Sequence, residues 1–303
     1  MSHAGLRISI GAALTVGVAA ILLADIPLDR WLERPVDVCF WTFLTVVLLI
    51  GCREAIRMLR HKGYPCQPAT SVIFVALMIA GAYVEINHPW GILPWLRDNG
   101  LELYLLLIVG LIFTAFAVEI VRIERAGNNI PRAIAAVGWT LLIVLTVGLL
   151  GVFLAKVRFL SADPVDGVLY LGLTLGTIKL SDIGAYAVGS FIGRHKLVPT
   201  LSPKKTVEGL AGALVFGTAG AMAIGCGWGR FTIIEMLLFG LAVSAAGVLG
   251  DLAESLIKRA CEVKDSGPIP SFGGALDILD SMLAGAPVAY LLLVVLTGPL
   301  RMG

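Results

Sequence analysis

Long apolar runs divide this sequence from end to end, and each run is long enough to cross a lipid bilayer. A transmembrane helix needs about 20 predominantly apolar residues, because the hydrocarbon core is about 30 Å thick. Nine runs approach or exceed this length: residues 8–24, 36–52, 69–86, 101–121, 133–157, 166–190, 209–226, 232–256 and 280–299. The pattern predicts an all-α, polytopic transmembrane protein with about nine spans.

The first run also has the length of a secretory signal peptide. The residues that follow it, from Ala24 to Pro27, lack the small-x-small pattern of a cleavage site. Because eight more apolar runs follow, we expect the first run to be retained as a membrane helix.

The composition supports a membrane location and argues against several other classes of protein. Apolar residues make up 58% of the 303 positions and charged residues 15%, whereas soluble domains average about 45–50% and about 25%. The net charge of +2 gives no case for nucleic-acid binding. The five cysteines are odd in number and form no CxxC pair, which argues against a disulfide framework or a zinc site and favours buried thiols.

Lysine and arginine are unevenly distributed between the two sides of the predicted spans, and they favour the cytoplasmic side of short loops. Of the 23 basic residues, 15 fall on the side that receives the N-terminus, seven on the other side, and Lys179 within the sixth run. This predicts a cytoplasmic N-terminus and an external C-terminus. We interpret the chain as one membrane domain, in which residues 1–170 are a scaffold and residues 171–303 carry the polar motifs.

The first polar block covers the sixth run and the loop after it. Lys179 and Asp182 are three residues apart, so they share a helix face at a depth where a lone charge is costly. The following loop concentrates side chains that suit phosphate oxygens: Ser202, Lys204, Lys205 and Thr206, with Arg194, His195 and Lys196. A purely structural ion pair and a loop that touches anionic lipid headgroups are the alternatives. The glycines of a P-loop are absent, and Gly189 with Gly193 favours close helix packing.

The second polar block covers the end of the eighth run and the start of the ninth. Asp251, Glu254 and Lys258 share one helix face, and Asp277 shares another with Asp280. Ser281 lies one turn after Asp277, and Gly273 and Gly274 precede that helix, where they permit close backbone approach to an anionic ligand. Mg²⁺ is held by one or two carboxylates together with substrate phosphates, so this pattern favours a metal and phosphate site. The alternative is that these acids cap helices and balance neighbouring bases.

These two blocks resemble the phosphatidate cytidylyltransferase (CDP-diacylglycerol synthase) family. The family signature reads S-x-x-K-R-x4-K-D-x-G, a short apolar link, and then P-x-H-G-G-x-x-D-R-x-D-S. The chain matches it at Ser255, Lys258, Arg259, Lys264, Asp265, Gly267, Pro270, Gly273, Gly274, Asp277, Asp280 and Ser281. Upstream family features are present from Asp182 to Tyr186 and from His195 to Gly209, so the resemblance spans residues 178–285.

The chain departs from the family pattern at four points. Phe272 replaces the family histidine, Ile278 replaces an arginine, and Ile183 replaces a hydroxyl residue. The link between Asp265 and Gly273 is one residue shorter than in the signature. These departures concern the roles that the family gives to the histidine and the arginine.

The resemblance implies a CTP:phosphatidate cytidylyltransferase that forms CDP-diacylglycerol and diphosphate on the cytoplasmic side of the cell membrane, with Mg²⁺ as cofactor. It implies that Asp277 and Asp280 hold the metal, with Asp251 and Asp182 as further candidates. The implied catalytic residues are Asp277, Asp280, Lys258, Arg259 and Asp265. The implied substrate-binding residues are Ser202, Lys204, Lys205, Thr206, Ser255, Lys264, Gly273, Gly274 and Ser281.

Other functions stay open at the level of sequence. A transporter could use Lys179, Asp182 and Asp251 as an ion path, but it would need polar residues in both halves of the chain. A relative that acts on another lipid phosphate and a degenerate paralogue are nearer alternatives. Acyl preference, CTP against dCTP, and oligomeric state, with a homodimer among the arrangements, are left undecided.

Overall fold

The computed structural model describes residues 37–87, 103–126, 129–161, 163–267 and 273–298. Within these residues, eight helices are long and apolar enough to cross a membrane. This confirms the all-α polytopic class. The first predicted span, residues 8–24, lies outside the described residues, so the count of nine stays a prediction.

The helices correspond to the predicted apolar runs within the described residues. The elements are α1 (Val38–His61), α2 (Pro68–Asn87), α3 (Leu103–Ala126), α4 (Ile130–Ile143), a π-helical segment (Val144–Leu149), α5 (Leu150–Arg158), α6 (Pro164–Ile192), β1 (Lys196–Val198), β2 (Ser202–Thr206), α7 (Val207–Gly227), α8 (Ile233–Ala260) and α9 (Ala275–Thr297). Helices α4 and α5 form one span through the π-helical segment.

Short polar residues begin several of these helices by supplying acceptors to unpaired backbone amides. Asp163 accepts from Val165 N before α6, at 2.8 Å. Thr232 and Glu235 form a reciprocal capping box at the start of α8. The helix boundaries therefore follow local sequence chemistry as well as hydrophobicity.

Helices α6 and α7 pack closely because glycines line their contact. A Cβ atom built on Gly212 would lie 2.6 Å from the Val188 side chain, and one built on Gly189 would lie 3.5 Å from Gly209 Cα. Small residues allow backbones to approach in this way. The prediction that Gly189 serves helix packing is confirmed.

The basic segment between α6 and α7, which is a loop by its sequence pattern, forms an antiparallel hairpin. Lys196 pairs with Thr206 and Val198 with Ser202. Val207 N donates to the His195 carbonyl oxygen at 2.9 Å, which ties the hairpin to the start of α7. The basic side chains of this loop are thus presented on a small, ordered unit.

No disulfide joins the five cysteines, all of which the structure describes. Cys52, Cys66 and Cys261 are buried. Burial raises the pKa of the Cys66 and Cys261 thiols above the ordinary value, so the reactive thiolate is disfavoured. The prediction of buried thiols is confirmed for these three.

Candidate active site

Polar side chains from both halves of the chain meet at one end of the bundle, which we call the site end. Helices α1, α6 and α8 finish at this end, and α7 and α9 begin there. Contacts between the elements define it: Lys205 of the hairpin reaches Asp251 of α8, and Ser281 of α9 reaches Asp182 of α6. The two polar blocks predicted from sequence therefore share one region.

Asp277 caps the start of α9 with one carboxylate oxygen and holds a lysine with the other. Its Oδ2 accepts from Gly274 N at 2.7 Å, from Ser266 N at 2.8 Å and from Ser266 Oγ at 2.6 Å. Its Oδ1 accepts from Lys258 Nζ at 2.5 Å. Both oxygens are therefore engaged by protein groups.

Lys258 is a buried ammonium group held between two carboxylates. Its Nζ lies 2.5 Å from Asp277 Oδ1 and 2.5 Å from Glu254 Oε2. A buried charge is tolerated only when it is paired, so these contacts explain why a lysine can occupy the position. Lys258 links the last turns of α8 to the first turn of α9.

Three carboxylates, from Asp251, Glu254 and Asp280, form a cluster next to Lys258, which we call the acidic cluster. One oxygen from each lies within 4.8 Å of the others. Glu254 is buried, its Oε2 pairs with Lys258, and its Oε1 has no hydrogen-bond partner among the described residues. Oxygen donors of this kind suit a hard divalent cation such as Mg²⁺.

The acidic cluster forms because α8 and α9 approach each other closely at Gly250. A Cβ atom there would lie 2.7 Å from the Ala284 Cβ atom and would also overlap the Asp280 carbonyl oxygen. Glycine removes this obstacle, and the neighbouring Asp251 is thereby brought beside Asp280.

Asp182 lies beside the acidic cluster and is connected to it through Ser281. Ser281 Oγ is 3.1 Å from Asp280 Oδ1 and 3.4 Å from Asp182 Oδ1. The other oxygen of Asp182 pairs with Lys179 at 3.3 Å. The prediction that Lys179 and Asp182 share a helix face is confirmed, and the ion pair between them matches the structural alternative.

The hairpin contributes basic groups with different surroundings. Lys205 pairs with Asp251 at 2.5 Å. Thr206 uses its hydroxyl to cap α7, where it accepts from Gly209 N at 3.0 Å. Lys204 and Lys264 are exposed and form no ion pair within the described part of the chain. These two lysines are the predicted phosphate ligands left available to a bound anion.

The other predicted site residues also lie near these helix ends. Arg259 donates to the backbone oxygens of Leu201 and Val263, at 3.3 and 3.2 Å, and so ties α8 to the hairpin. Gly273 adopts a left-handed backbone, with φ of 80°. The remaining predicted residues are buried or half-buried near the same helix ends: Ser202, Ser255, Asp265 and Gly274. Phe272 lies outside the described residues, and Ile278 is half-buried.

The group of possible metal ligands in the structure differs from the predicted one. Asp251 and Asp280 belong to the acidic cluster, Asp182 lies beside it, and Asp277 lies outside it because its oxygens serve Lys258 and the start of α9. Glu254 takes the third place. The sequence spacing shows that Glu254 shares a helix face with Asp251. It does not show that this face meets Asp280.

Two further residues of the site were missed, Glu54 and Ser266. Glu54 Oε2 accepts from Leu276 N at 2.9 Å, and Ser266 Oγ lies 3.3 Å from it. Glu54 is the only acid of α1, and this feature could have identified it, because ionisable residues at membrane depth are costly. Ser266 carried no such signal.

This helical bundle with a buried carboxylate and lysine site has clear relatives among known proteins. A model of the cytidylyltransferase family matches residues 8–296. A phosphatidate cytidylyltransferase from Mycobacterium bovis is 31% identical over 302 residues, which cover 97% of this chain and 91% of the relative. One from Synechocystis is 32% identical, with 84% of this chain and 89% of the relative covered. One from Bacillus subtilis is 40% identical over 52% of this chain and 58% of the relative.

The fold and the comparisons together define a multi-pass membrane enzyme of the nucleotidyltransferase class. The chain belongs to the cytidylyltransferase family.

Proposed function

We propose that this protein is a CTP:phosphatidate cytidylyltransferase that uses Mg²⁺ at the acidic cluster. The family match and the names of the relatives support the reaction. The observation that carries the metal proposal is the buried Glu254 carboxylate, whose Oε1 has no hydrogen-bond partner among the described residues and which lies with Asp251 and Asp280 in one group of oxygen donors.

The charge at the site end supports a bound cation. Six carboxylates are grouped there, against the three ammonium groups of Lys179, Lys205 and Lys258 that pair with them. Two of the six are buried and four are half-buried, and an excess of negative charge away from water is unfavourable without compensation. The six carboxylates belong to Glu54, Asp182, Asp251, Glu254, Asp277 and Asp280.

The proposed reaction joins a phosphatidate oxygen to the α-phosphorus of CTP. A new phosphorus–oxygen bond forms, the bond from the α-phosphorus to the oxygen bridging to the β-phosphate breaks, and diphosphate leaves. A phosphomonoester has a second pKa of about 6, so at neutral pH the nucleophile is mostly an anion and needs no general base. The catalytic task is to neutralise charge on the triphosphate and on the leaving diphosphate.

Different groups contribute to this charge neutralisation in different ways. Bound Mg²⁺ would supply charge neutralisation and orientation of the phosphates. The exposed Lys204 and Lys264 bind phosphate oxygens, while Arg259 and Lys258 hold the hairpin and the start of α9 in place around them. Gly273 and Gly274 leave room for the Asp277 and Glu54 carboxylates beside the start of α9, because a Cβ atom at either position would lie within 3 Å of them.

We further propose that the site end faces the cytoplasm and that the N-terminus lies on the same side, in the cell membrane. The N-terminus and the loops predicted on this side hold 15 of the 23 basic residues, which supports the orientation, and CTP is a cytoplasmic substrate. Accessibility labelling of cysteines introduced into the segment 194–206 tests it. Labelling from the external side would overturn both the topology and the use of cytoplasmic CTP.

Assay of the purified protein with CTP and a panel of lipid phosphates, with and without Mg²⁺, tests the proposed function. We expect CDP-diacylglycerol from phosphatidate, and diphosphate in equal amount, only when Mg²⁺ is present. Product from an isoprenoid phosphate but not from phosphatidate would assign the site to another lipid acceptor. No product from any lipid phosphate would overturn the proposal.

A further inference from the structure

Glu54 connects the first half of the chain to the start of the helix that carries Asp277 and Asp280. It lies on α1 and is 5% exposed. Its Oε2 accepts the backbone amide of Leu276 at 2.9 Å, across 222 positions of sequence. Ser266 Oγ lies 3.3 Å from the same oxygen and 2.6 Å from Asp277 Oδ2, so Glu54 and Asp277 flank one hydroxyl.

The amide that Glu54 accepts is one of the first in α9, where helix amides have no partner of their own. Gly274 has no side chain to supply a cap, and Asp277 Oδ2 satisfies the Gly274 amide. Glu54 therefore completes the capping of α9 from a different helix. A carboxylate is also favoured there by the helix dipole.

We propose that Glu54 is a positioning residue, which fixes the start of α9 so that Asp280 meets Asp251 and Glu254 while Asp277 holds Lys258. On this proposal the first half of the chain takes part in assembling the site and is more than a scaffold. The inference rests on the proposed metal role of the acidic cluster, because it is through that cluster that a displaced α9 would affect chemistry.

Gly274 provides an independent test of the same contact. A Cβ atom at position 274 would lie 2.5 Å from the carboxylate carbon of Glu54, and closer to one of its oxygens. The backbone there is extended, with φ of −114°, so alanine is compatible with it. Gly274→Ala should therefore push the Glu54 carboxylate away from α9 with little backbone strain of its own.

Glu119 is a matched control for Glu54. It is also 5% exposed and near the site end of its helix, but it accepts from Gln67 Nε2 at 2.9 Å and pairs with Arg122 at 2.8 Å. Gln67 N in turn donates to Thr140 Oγ1 at 3.0 Å. Its contacts thus join α2, α3 and α4, with none to α9 among the described residues.

The experiment compares the full-length wild type with Glu54→Gln, Glu54→Ala, Gly274→Ala and Glu119→Gln in detergent micelles. Mn²⁺ affinity is measured by electron paramagnetic resonance, and amide hydrogen exchange is followed in peptides covering residues 273–280. Loss of a residue that orients a metal ligand typically costs about 10- to 100-fold in metal affinity. We expect a loss of this size for Glu54→Ala and Gly274→Ala, a smaller loss for Glu54→Gln, and faster exchange confined to the start of α9.

The double variant Glu54→Ala with Gly274→Ala distinguishes one shared contact from two separate defects. We expect it to be no worse than the more affected single variant, because removal of the carboxylate leaves room for the new methyl group. Additive losses would overturn the proposed contact. Unchanged Mn²⁺ affinity and exchange in both single alanine variants, or equal effects in Glu119→Gln, would overturn the positioning role.

The outcomes separate this inference from the proposed function. If the wild type makes no CDP-diacylglycerol but the variants change Mn²⁺ affinity and exchange as described, the proposed reaction fails and the role of Glu54 stands. If the wild type is active and the Glu54 variants behave like Glu119→Gln, the reaction stands and the role of Glu54 fails.

Discussion

The two ends of the helical bundle both contain buried ionic groups, but they compensate charge in different ways. At the end opposite the site, Arg158 pairs with Asp37 at 2.5 Å, with the two side chains 2% and 4% exposed. Arg230 pairs with Asp166 at 2.6 Å. Each of these two arginines is paired with an aspartate, so the charges balance within the two pairs.

At the site end, the carboxylates outnumber the ammonium groups that contact them. The acidic cluster brings three acids within 4.8 Å of one another, with Lys205 and Lys258 as their ion partners. Buried charges that serve only the fold are expected to be balanced, because an unpaired buried charge is strongly destabilising. On the proposed function, this imbalance marks where the cation binds.

The acidic cluster should not tolerate the loss of one of its carboxylates. Asp280→Asn keeps the shape of the side chain but removes a charge, so we expect turnover to fall by about 100-fold or more, since a metal contributes several kcal/mol to catalysis. The measurement is CDP-diacylglycerol formation across a Mg²⁺ titration. Asp163→Asn, at the opposite end, is the control, because asparagine also caps helices. Near wild-type turnover in Asp280→Asn would exclude it as a metal ligand.

A substitution at the opposite end should lower the stability of the protein and leave turnover unchanged. Arg158→Met leaves Asp37 as a buried charge without its arginine, so we expect the free energy of unfolding to fall by about 3–5 kcal/mol. Activity per folded molecule should be unchanged. Unfolding in mixed micelles and turnover of the folded fraction measure the two effects. A loss of turnover as large as that of Asp280→Asn would contradict the division between the two ends.

Substitution of an exposed lysine of the hairpin should weaken substrate binding and leave kcat unchanged. Lys204 forms no ion pair within the described residues, so Lys204→Gln should raise the KM for CTP by about tenfold, as expected for one charge-assisted contact, with kcat unchanged. Lys196→Gln removes an equally exposed charge from the neighbouring strand and is the control. Equal effects of the two variants would indicate a general field of the loop instead of a contact by Lys204.

The smallest effect is expected at the second ion pair of the opposite end. Arg230 is about half exposed in its pair with Asp166. Exposed pairs contribute about 1 kcal/mol or less because water and salt screen them. Arg230→Gln should therefore change the free energy of unfolding by no more than this, with turnover unchanged. A drop comparable to that of Arg158→Met would show that exposure does not set the strength of these pairs.

The amino-acid sequence by itself determined the class of fold, because a bilayer imposes a length and an apolar composition on every span. The predicted run 69–86 corresponds to Pro68–Asn87, and the run 209–226 to Val207–Gly227. Local spacing was equally informative. The pairing of Lys179 with Asp182 follows from a separation of three residues along one helix. The match to family motifs identified the nucleotidyltransferase class before any geometry was known.

Only the tertiary structure decided which of the polar residues meet. Spacing along a helix shows that Asp251 and Glu254 share a face, but the element that this face meets is set by the close approach of α8 and α9 at Gly250. The same packing engages Asp277 with Lys258 and leaves Glu254 in the acidic cluster. Glu54 reaches Leu276 from 222 positions away, and no local pattern encodes such a contact. Carboxylates that are chemically equivalent in the sequence make different contacts, because long-range packing determines which residues they meet.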